Sequence, residues 1–265
     1  MKDFKIAICL LTCELDHLEE WLNHHKNYGF ENYLVFLDSK YVKSLDDINP
    51  NLRSQINCIK ILSTEARCIP RLYTKVCQKF KDHFDYIFFI DSDEYYESKT
   101  KNVIEDVNRI KEQYGDFDCL SIYWRMYGSS PQFETRVPIE SYKQFRFDSH
   151  VKSLVNPKAL ENYLNAHVPK LKEGAIHIDA YGSKFKHYVK PDGTIIHGVG
   201  TRPNGEGKLG AGSPSQEGIE LEKIWIKHIF TRSKKEWEDK LNRKGWYQET
   251  HSRTMKDYDS TNKVV

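Results

Sequence analysis

Short apolar runs alternate with amphipathic stretches in the first part of the chain. Residues 5–11, 33–37 and 57–62 are rich in Ile, Leu, Val and Phe, which is typical of strands that are buried on both faces. Between the first two runs, apolar positions recur at helical spacing, at Leu15, Leu18, Trp21, Leu22 and His25. The pattern predicts a β-α-β unit with the usual right-handed crossover.

The same alternation continues along the rest of the chain. It predicts helices at residues 71–83 and 102–114, and strands at residues 86–90, 118–124, 152–157 and 224–230. Ser233 and Glu236 form a capping-box pattern that begins a final lysine-rich helix, and we expect the polar tail after Glu249 to be frayed. Together the elements predict an α/β fold in which helices flank a mixed, mostly parallel central sheet.

One long stretch departs from these periodicities. Residues 174–212 are rich in Gly, His and charged residues, with little helical pattern. Long irregular stretches of compact proteins are commonly functional loops. We therefore predict that residues 198–218 form a lid over a substrate.

Composition excludes several classes of protein. The 265 residues are 39% apolar and 29% charged, with a net charge of +2, an ordinary balance for a soluble protein with a sizeable core. This charge argues against a nucleic-acid binder driven by bulk electrostatics. The sequence shows no signal-peptide pattern and no apolar run of membrane-spanning length, and its six cysteines form no Cys-x-x-Cys pair. We expect a cytoplasmic protein with reduced thiols.

Candidate chemistry concentrates at the end of the predicted strand at residues 86–90. Asp91, Asp93 and Glu94 follow it directly, and ligands of open α/β sheets bind outside the carboxyl ends of the strands. Crowded carboxylates repel each other unless a cation compensates them. Mg²⁺ or Mn²⁺ suits oxygen ligands and leaves positions open for substrate phosphates. The acids therefore predict a metal site for a nucleotide diphosphate; the alternative is that they cap a turn or a helix.

Polar residues near other predicted element ends are candidates for the same nucleotide pocket. Thr12 and Glu14 follow the first strand and Asp38 follows the second, so their side chains are available to a base or to ribose hydroxyls. Asp38 is equally well explained as the cap of a turn. Arg71 and Lys75 lie near the start of a predicted helix, where they could meet a phosphate or a uracil-type base; solvent exposure is the more common fate of such residues.

The chain resembles the GT-A-type glycosyltransferases, in particular the family 2-like group that grades into family 92. The motifs that carry this resemblance stand in the family's order along most of the chain: Thr12-Cys-Glu14 with the helical stretch 18–25, the acidic strand end at 89–95, the loop at 124–130, the segment 151–157, and the late segments 227–233 and 243–245. Each motif is modest alone, and their order makes the resemblance specific.

Two motifs depart from the family's pattern. The first loop usually reads Lys-Asn-Glu, and here only Glu14 matches. The late motif usually reads Asn-His-Tyr, whereas this chain has Lys227, His228 and Ile229, so the histidine is retained and its neighbours are not.

The resemblance implies a GT-A, Rossmann-like catalytic domain over residues 1–220, with a nucleotide-binding half followed by an acceptor half. Residues 221–265 are then a C-terminal strand and helix that pack on it. The implied reaction transfers a sugar from a nucleotide-diphosphate donor, with a UDP-sugar favoured, to an acceptor hydroxyl.

The resemblance also implies which residues hold the metal. Asp93 is expected to bind Mn²⁺ or Mg²⁺ directly, and Asp91 to contact the ion or the donor ribose. A histidine often completes such a site, and His228 is the preferred candidate because it lies in the late motif. His197 and His177 are its competitors.

An inverting transfer needs a carboxylate base near the acceptor oxygen. Glu140 is the preferred candidate, with Glu94 and Glu134 as alternatives. Ser92 lies between the two aspartates and is assigned to donor binding, and Lys152, or Arg125, is a candidate for balancing the charge of the diphosphate.

The acceptor is identified only by analogy. Families of this kind commonly build bacterial surface polysaccharides, such as capsule or lipopolysaccharide. The lysine-rich final helix is either a contact to the inner face of a membrane that carries a lipid-linked acceptor or a solvated surface. Two other functions stay open: a nucleotidyltransferase acting on sugar phosphates, although the first loop lacks its Gly-rich basic signature, and a non-catalytic carbohydrate-binding protein.

Overall fold

The structure is a computed structural model. It describes residues 2–42, 44–61, 68–129, 132–182, 184, 188–189, 195–196, 200–201, 208–209, 223–242 and 254–263.

The helices of this part of the chain are α1 Leu18–Asn27, α2 Pro50–Arg53, α3 Ile69–Phe80, α4 Val103–Tyr114, α5 Lys234–Asn242 and α6 Met255–Lys263, with 3₁₀ turns at Leu45–Asp47 and Ile139–Ser141. The first seven strands are β1 Ile6–Thr12, β2 Asn32–Asp38, β3 Asn57–Ile61, β4 Tyr86–Phe89, β5 Glu94–Ser98, β6 Cys119–Gly128 and β7 Gln144–Val155. The remaining strands are β8 Leu160–Tyr163, β9 Pro169–Leu171, β10 His177–Asp179, β11 Tyr188–Val189, β12 Ile195–Ile196, β13 Gly200–Thr201, β14 Lys208–Leu209 and β15 Ile224–His228.

A mixed sheet of nine described strands organises the molecule. Its order is β3-β2-β1-β4-β7-β6-β15-β5, with β10 paired to β6. The first four strands are parallel neighbours, β7 runs antiparallel to both β4 and β6, and β15 is parallel to β6 but antiparallel to β5. The predicted α/β fold with a mixed central sheet is confirmed.

Side chains of the buried strands divide between two cores because successive residues point to opposite faces of a sheet. On β1, Ile8 packs into the same cluster as Trp21 of α1, whereas Cys9 packs with Tyr73 of α3 on the other face. Every residue of β1 is buried. The continuous apolar run is thus explained by helices that cover both faces.

Three elements differ from the sequence-based expectations. β7 extends over twelve residues, where only a short strand was expected, because it pairs with β6 along nearly its whole length. β5 follows the acidic turn directly and is stabilised by its pairing with β15. The prediction of a frayed tail after Glu249 is wrong for α6, because Tyr258 of this helix is fully buried and packs against Trp237 of α5.

The C-terminal segment completes the central sheet. β15 pairs on one side with β6 and on the other with β5, so residues after the predicted boundary at 220 are inserted among strands that precede it. The boundary itself and most of the predicted lid at residues 198–218 lie outside the described residues. Within the described part of the chain, no helix is both long and apolar enough to cross a bilayer.

The cysteines agree with the expectation of reduced thiols. Among the described residues, the thiols of Cys9, Cys13, Cys68, Cys77 and Cys119 are not joined in disulfide bonds. Burial raises the pKa of the Cys9 and Cys77 thiols, which keeps them protonated and unreactive.

Candidate active site

A tight turn after β4 presents the acidic residues. The Glu94 N–H donates to the Asp91 carbonyl at 3.1 Å, and the Asp91 N–H donates to Glu94 Oε2 at 2.9 Å. Trp21 Nε1 of α1 donates to both the Asp91 and Glu94 carbonyls, at 3.2 and 3.1 Å. Helix α1 therefore holds the turn in place from one side.

Asp91 and Glu94 share one buried cation. Lys152 of β7 has no exposed surface, and its Nζ lies 2.7 Å from Asp91 Oδ2 and 3.3 Å from Glu94 Oε2. Burial raises the pKa of Glu94 to about 8, against the opposing effect of Lys152. Burial alone would lower the pKa of Lys152, but attraction to the two acids outweighs it and raises that pKa. We call these three residues the Lys152 cluster.

Asp93 points to a different set of partners, which we call the Asp93 cluster. Its Oδ1 lies 3.6 Å from His228 Nε2 on β15, and its Oδ2 lies 2.8 Å from Lys240 Nζ on α5. Burial would raise the pKa of Asp93, but Lys240 and His228 together lower it, so Asp93 is ionised. Burial lowers the pKa of His228, which favours the neutral ring that can act as a metal ligand.

The segment between β15 and α5 is hydrogen-bonded to backbone carbonyls of the turn, through the Ile229 N–H and the Arg232 guanidinium. The Ile229 N–H donates to the Asp93 carbonyl at 2.9 Å, and Arg232 donates to the Ser92 carbonyl at 2.5 Å. Arg232 has a φ of 55°, a left-handed conformation that costs a non-glycine residue about 1–3 kcal/mol. The predicted capping box of α5 is confirmed, since Ser233 and Glu236 exchange hydrogen bonds.

A polar cavity of about 460 Å³ adjoins Asp93. Acidic and basic side chains line it together, among them Glu14, Asp93, Arg232, Glu236 and Lys240. Arg232 lies 3.9 Å from Glu14 Oε2 and 3.9 Å from Glu236 Oε1. The first loop, the acidic turn and α5 therefore meet at one opening.

An aromatic and imidazole group adjoins the Asp93 cluster on the sheet. The ring of Trp124 on β6 lies 4.1 Å from that of His228 and 4.9 Å from that of His150, measured between centroids. His150 Nδ1 is hydrogen-bonded to Asp148 Oδ1 at 2.5 Å. Burial would raise the pKa of Asp148, but hydrogen bonds from His150 and the nearby His228 lower it. Sequence reasoning missed this pair, because it depends on the register shift between β6 and β7.

The predicted nucleotide-binding residues occupy varied environments. Thr12 is buried, and its Oγ1 accepts from the Glu14 N–H at 3.0 Å, which shapes the first loop. Asp38 is buried and accepts from the Lys40 N–H at 2.8 Å, the turn-capping contact that was its alternative explanation. Arg71 and Lys75 are exposed on α3. Their nucleotide roles stay predictions.

The predicted bases are not brought together with Asp93. Glu140 is exposed on the 3₁₀ turn Ile139–Ser141, and its charge acts on Lys227, which points to the face of β15 opposite to His228 because side chains alternate along a strand. Glu94 is fully buried behind the turn. Glu134 is exposed, 3.5 Å from Lys234.

The remaining candidates also have defined partners. Arg125 is buried, with its guanidinium 3.9 Å from the ring centroid of Trp225. Lys152 neutralises the two acids from within the protein instead of facing the cavity. His177 bonds Ser121 at 2.8 Å on β10, and His197 lies outside the described residues.

The chemistry of the Asp93 cluster fits a divalent cation that arrives with a substrate. Within the described part of the chain, no group of three or more His, Cys, Asp or Glu side chains is arranged to hold a metal ion. Asp93 lines the cavity, and the buried His228 has its Nε2 3.6 Å from Asp93 Oδ1, so these two atoms are a candidate pair of donors. Mg²⁺ commonly takes one or two carboxylates and completes its coordination with substrate phosphates and waters. Lys240 is a competitor for the same carboxylate.

Comparisons with known proteins place the sequence in a family. No curated protein sequence matches the chain. Among solved structures, HddC from Yersinia pseudotuberculosis is 10% identical, with 67% of this chain and 89% of that chain covered and a TM-score of 0.39. The 4-diphosphocytidyl-2C-methyl-D-erythritol synthase from Anaerococcus prevotii is 6% identical, with 59% and 72% covered and a TM-score of 0.34. At these scores neither likeness bears on function.

The family comparison covers the part of the chain that carries the site. Residues 74–261 match glycosyltransferase family 92, a span that includes the acidic turn, β6, β7, β15 and α5. This match extends over more than half of the sequence and agrees with the resemblance carried by the motifs. The chain belongs to glycosyltransferase family 92.

Proposed function

We propose that this glycosyltransferase moves a sugar from a nucleotide-diphosphate donor, with UDP-sugars as the favoured class, to a hydroxyl of a saccharide acceptor, and that the reaction depends on Mn²⁺ or Mg²⁺. One observation carries the proposal. Asp93 lies between His228 and Lys240 at a polar cavity that also contains Arg232. A departing nucleotide diphosphate gains negative charge, and this opening offers it both cationic side chains and a pair of metal donors.

The side chains around the opening have separable roles in this proposal. Arg232 and Lys240 bind the diphosphate oxygens, and Lys240 does so by exchanging its bond to Asp93 for one to phosphate. Asp93 and His228 hold the divalent cation. When bound, such a cation supplies Lewis-acid stabilisation of the leaving diphosphate.

The Lys152 cluster supports the opening from within the protein. Its buried ammonium keeps Asp91 in place at 2.7 Å and offsets the repulsion among the acids of the turn. Asp91 has 41% of its side chain exposed, so it is available to the donor ribose or to the cation on its outer side. Glu14, which lines the cavity, is proposed to accept from a ribose hydroxyl.

The acceptor and the stereochemistry complete the proposal. We propose an inverting transfer, with a bacterial surface polysaccharide, capsule or lipopolysaccharide, as the product class. The acceptor is then a saccharide that is soluble or lipid-linked, and the lysines of α5 are the surface that would face an anionic membrane.

A thermal-shift screen of nucleoside diphosphates, with and without Mn²⁺, tests the proposal. We expect one nucleoside diphosphate, UDP before the others, to raise the melting temperature more with Mn²⁺ than without it, because a ligand that binds only the folded state stabilises it. Asp46→Ala, a change on an exposed acid far from the cavity, should leave this shift intact. Absence of any nucleotide-dependent shift would contradict the proposal, and release of pyrophosphate from a nucleoside triphosphate and a sugar phosphate would favour the nucleotidyltransferase alternative.

A further inference from the structure

Two buried donors beside the Asp93 cluster lack partners within the described residues. They are Trp124 Nε1 and His228 Nδ1. The two residues are only 8% and 4% exposed. A buried N–H without an acceptor is costly, so such groups point to a ligand that supplies oxygen atoms. Their ring centroids are 4.1 Å apart, so the two donors belong to one small region of the site.

The carboxylate–imidazole pair Asp148–His150 flanks these donors. β7 shifts its register against β6 between Tyr123 and Trp124, so that Val151 faces Tyr123 while Asp148 faces Trp124. The two extra residues of this bulge re-aim the side chains, and the His150 ring stacks on Trp124 with an interplanar angle of 21°. Asp148 accepts from both the ring and the backbone N–H of His150.

We propose that His150, oriented by Asp148, is the general base that activates the acceptor hydroxyl, with the acceptor sugar bound against Trp124. This inference rests on the proposed function. His150 Nδ1 is occupied by Asp148, so Nε2 is the nitrogen that accepts the proton, and 41% of the His150 side chain is exposed, which leaves it within reach of an acceptor.

The proposed step is balanced in atoms and charge. The acceptor oxygen forms a bond to the anomeric carbon of the donor and gives its proton to His150 Nε2. The bond between the anomeric carbon and the diphosphate oxygen breaks, and its electron pair leaves with the nucleoside diphosphate. The protonated His150, stabilised by the Asp148 carboxylate, then returns its proton to solvent.

The position of the Asp148–His150 pair agrees with separate approaches for the donor and the acceptor. The cavity that holds Arg232 and Lys240 lies on the α5 side of Asp93, and His150 lies on the Trp124 side of His228. Donor and acceptor would approach from these two sides and meet near Asp93. None of the three predicted bases occupies such a place. Glu140 acts on Lys227, Glu94 is fully buried, and Glu134 lies 3.5 Å from Lys234.

His150→Gln tests the base. With a panel of UDP-sugars as donors and methyl glycosides as acceptors, we expect kcat for transfer to fall about 10²–10⁴-fold, the usual contribution of a general base. The UDP and Mn²⁺ thermal shift should be unchanged, because the donor side is intact. His83→Gln, at an exposed imidazole next to Phe80, is the matched control and should retain wild-type turnover.

Asp148→Asn tests the positioning residue through a different readout. The change removes the carboxylate that accepts from His150 Nδ1, so we expect kcat to fall while the KM for the donor stays at the wild-type value. The other titratable groups that pack around Trp124 are His167 and His228, and neither is altered in this variant.

The outcomes separate the two proposals. Turnover by His150→Gln within about threefold of the wild type, a small fraction of the usual effect, would overturn the role of His150 as the general base. The proposed glycosyl transfer would be unaffected by that result. A wild-type protein that binds no nucleoside diphosphate overturns the proposed function and the dyad's role with it.

Discussion

Two lysines bind acids of the same turn at nearly the same distance, yet their surroundings differ. Lys152 reaches Asp91 at 2.7 Å from a position with no exposed side-chain surface, whereas Lys240 reaches Asp93 at 2.8 Å with 26% of its side chain exposed. Distance alone therefore does not decide what an ion pair does. Burial of the Lys152 ammonium makes the first pair a structural element, and the partial exposure of the Lys240 ammonium makes the second pair exchangeable with a ligand.

The physical reason is the local dielectric environment. Two opposite charges interact far more strongly in a protein interior than at its surface, and a buried charge that loses its partner has no water to replace it. The Lys152 cluster is therefore expected to govern stability. The Asp93 cluster, at the edge of a cavity, is expected to govern chemistry.

The largest expected effect is on activity and comes from Asp93→Ala. Removal of this carboxylate takes away the proposed metal donor and the partner of His228, so we expect donor turnover to fall about 10³-fold, as when a group that stabilises transition-state charge is deleted. The far-ultraviolet circular dichroism spectrum should be unchanged, and Asp46→Ala should be fully active. An Asp93→Ala protein with normal Mn²⁺-dependent turnover would remove this residue from the site.

The comparison of the two lysines is tested directly by Lys152→Met and Lys240→Met. The first change leaves Glu94 and Asp91 uncompensated, and we expect the free energy of unfolding in urea to fall by about 3–5 kcal/mol. The second change involves a partly exposed pair, for which about 1 kcal/mol or less is expected. Equal losses of stability in the two variants would show that burial is not what distinguishes the pairs.

A smaller effect is expected at the metal donors. His228→Ala should weaken Mn²⁺ binding in the presence of UDP about 10–100-fold, in the range seen when metal-site groups are altered. Isothermal titration calorimetry measures this affinity, and His177→Ala, on β10 beside Ser121, is the matched histidine control. A loss that appeared with His177→Ala, or with His197→Ala, and not with His228→Ala would reassign the ligand.

The smallest effect concerns pH. The pKa of Glu94 is raised to about 8 in the folded protein, so the folded state binds this proton more tightly than the unfolded state. The stabilisation is complete below the ordinary pKa of glutamate and is lost as pH rises through about 8.

We therefore expect the free energy of unfolding of the wild type to fall between pH 5 and pH 8 by at least about 1 kcal/mol, the value of a single pKa unit. Glu94→Gln cannot ionise and should flatten this dependence. A wild-type stability that rises with pH over this range would contradict the raised pKa.

Much of the N-terminal fold was predictable from local pattern. The continuous apolar runs of β1 and β2 and the helical spacing around Trp21 are properties of neighbouring residues, and the structure contains each of these elements. The capping box at Ser233 was also correct, because a cap depends on residues three positions apart. By contrast, α6 depends on the burial of Tyr258 against Trp237, a contact that no short window of sequence contains.

By itself the sequence determined that acids follow a buried strand of an α/β sheet, because that pattern lies within a dozen consecutive residues. Only the tertiary structure decided which acid meets which cation. Asp91 and Asp93 are two residues apart, but Lys152 on β7 and Lys240 on α5 approach the turn from different elements. The position of Asp148 and His150 beside Trp124 likewise follows from a register shift between β6 and β7, and pairing between distant strands is set by the packing of the whole sheet.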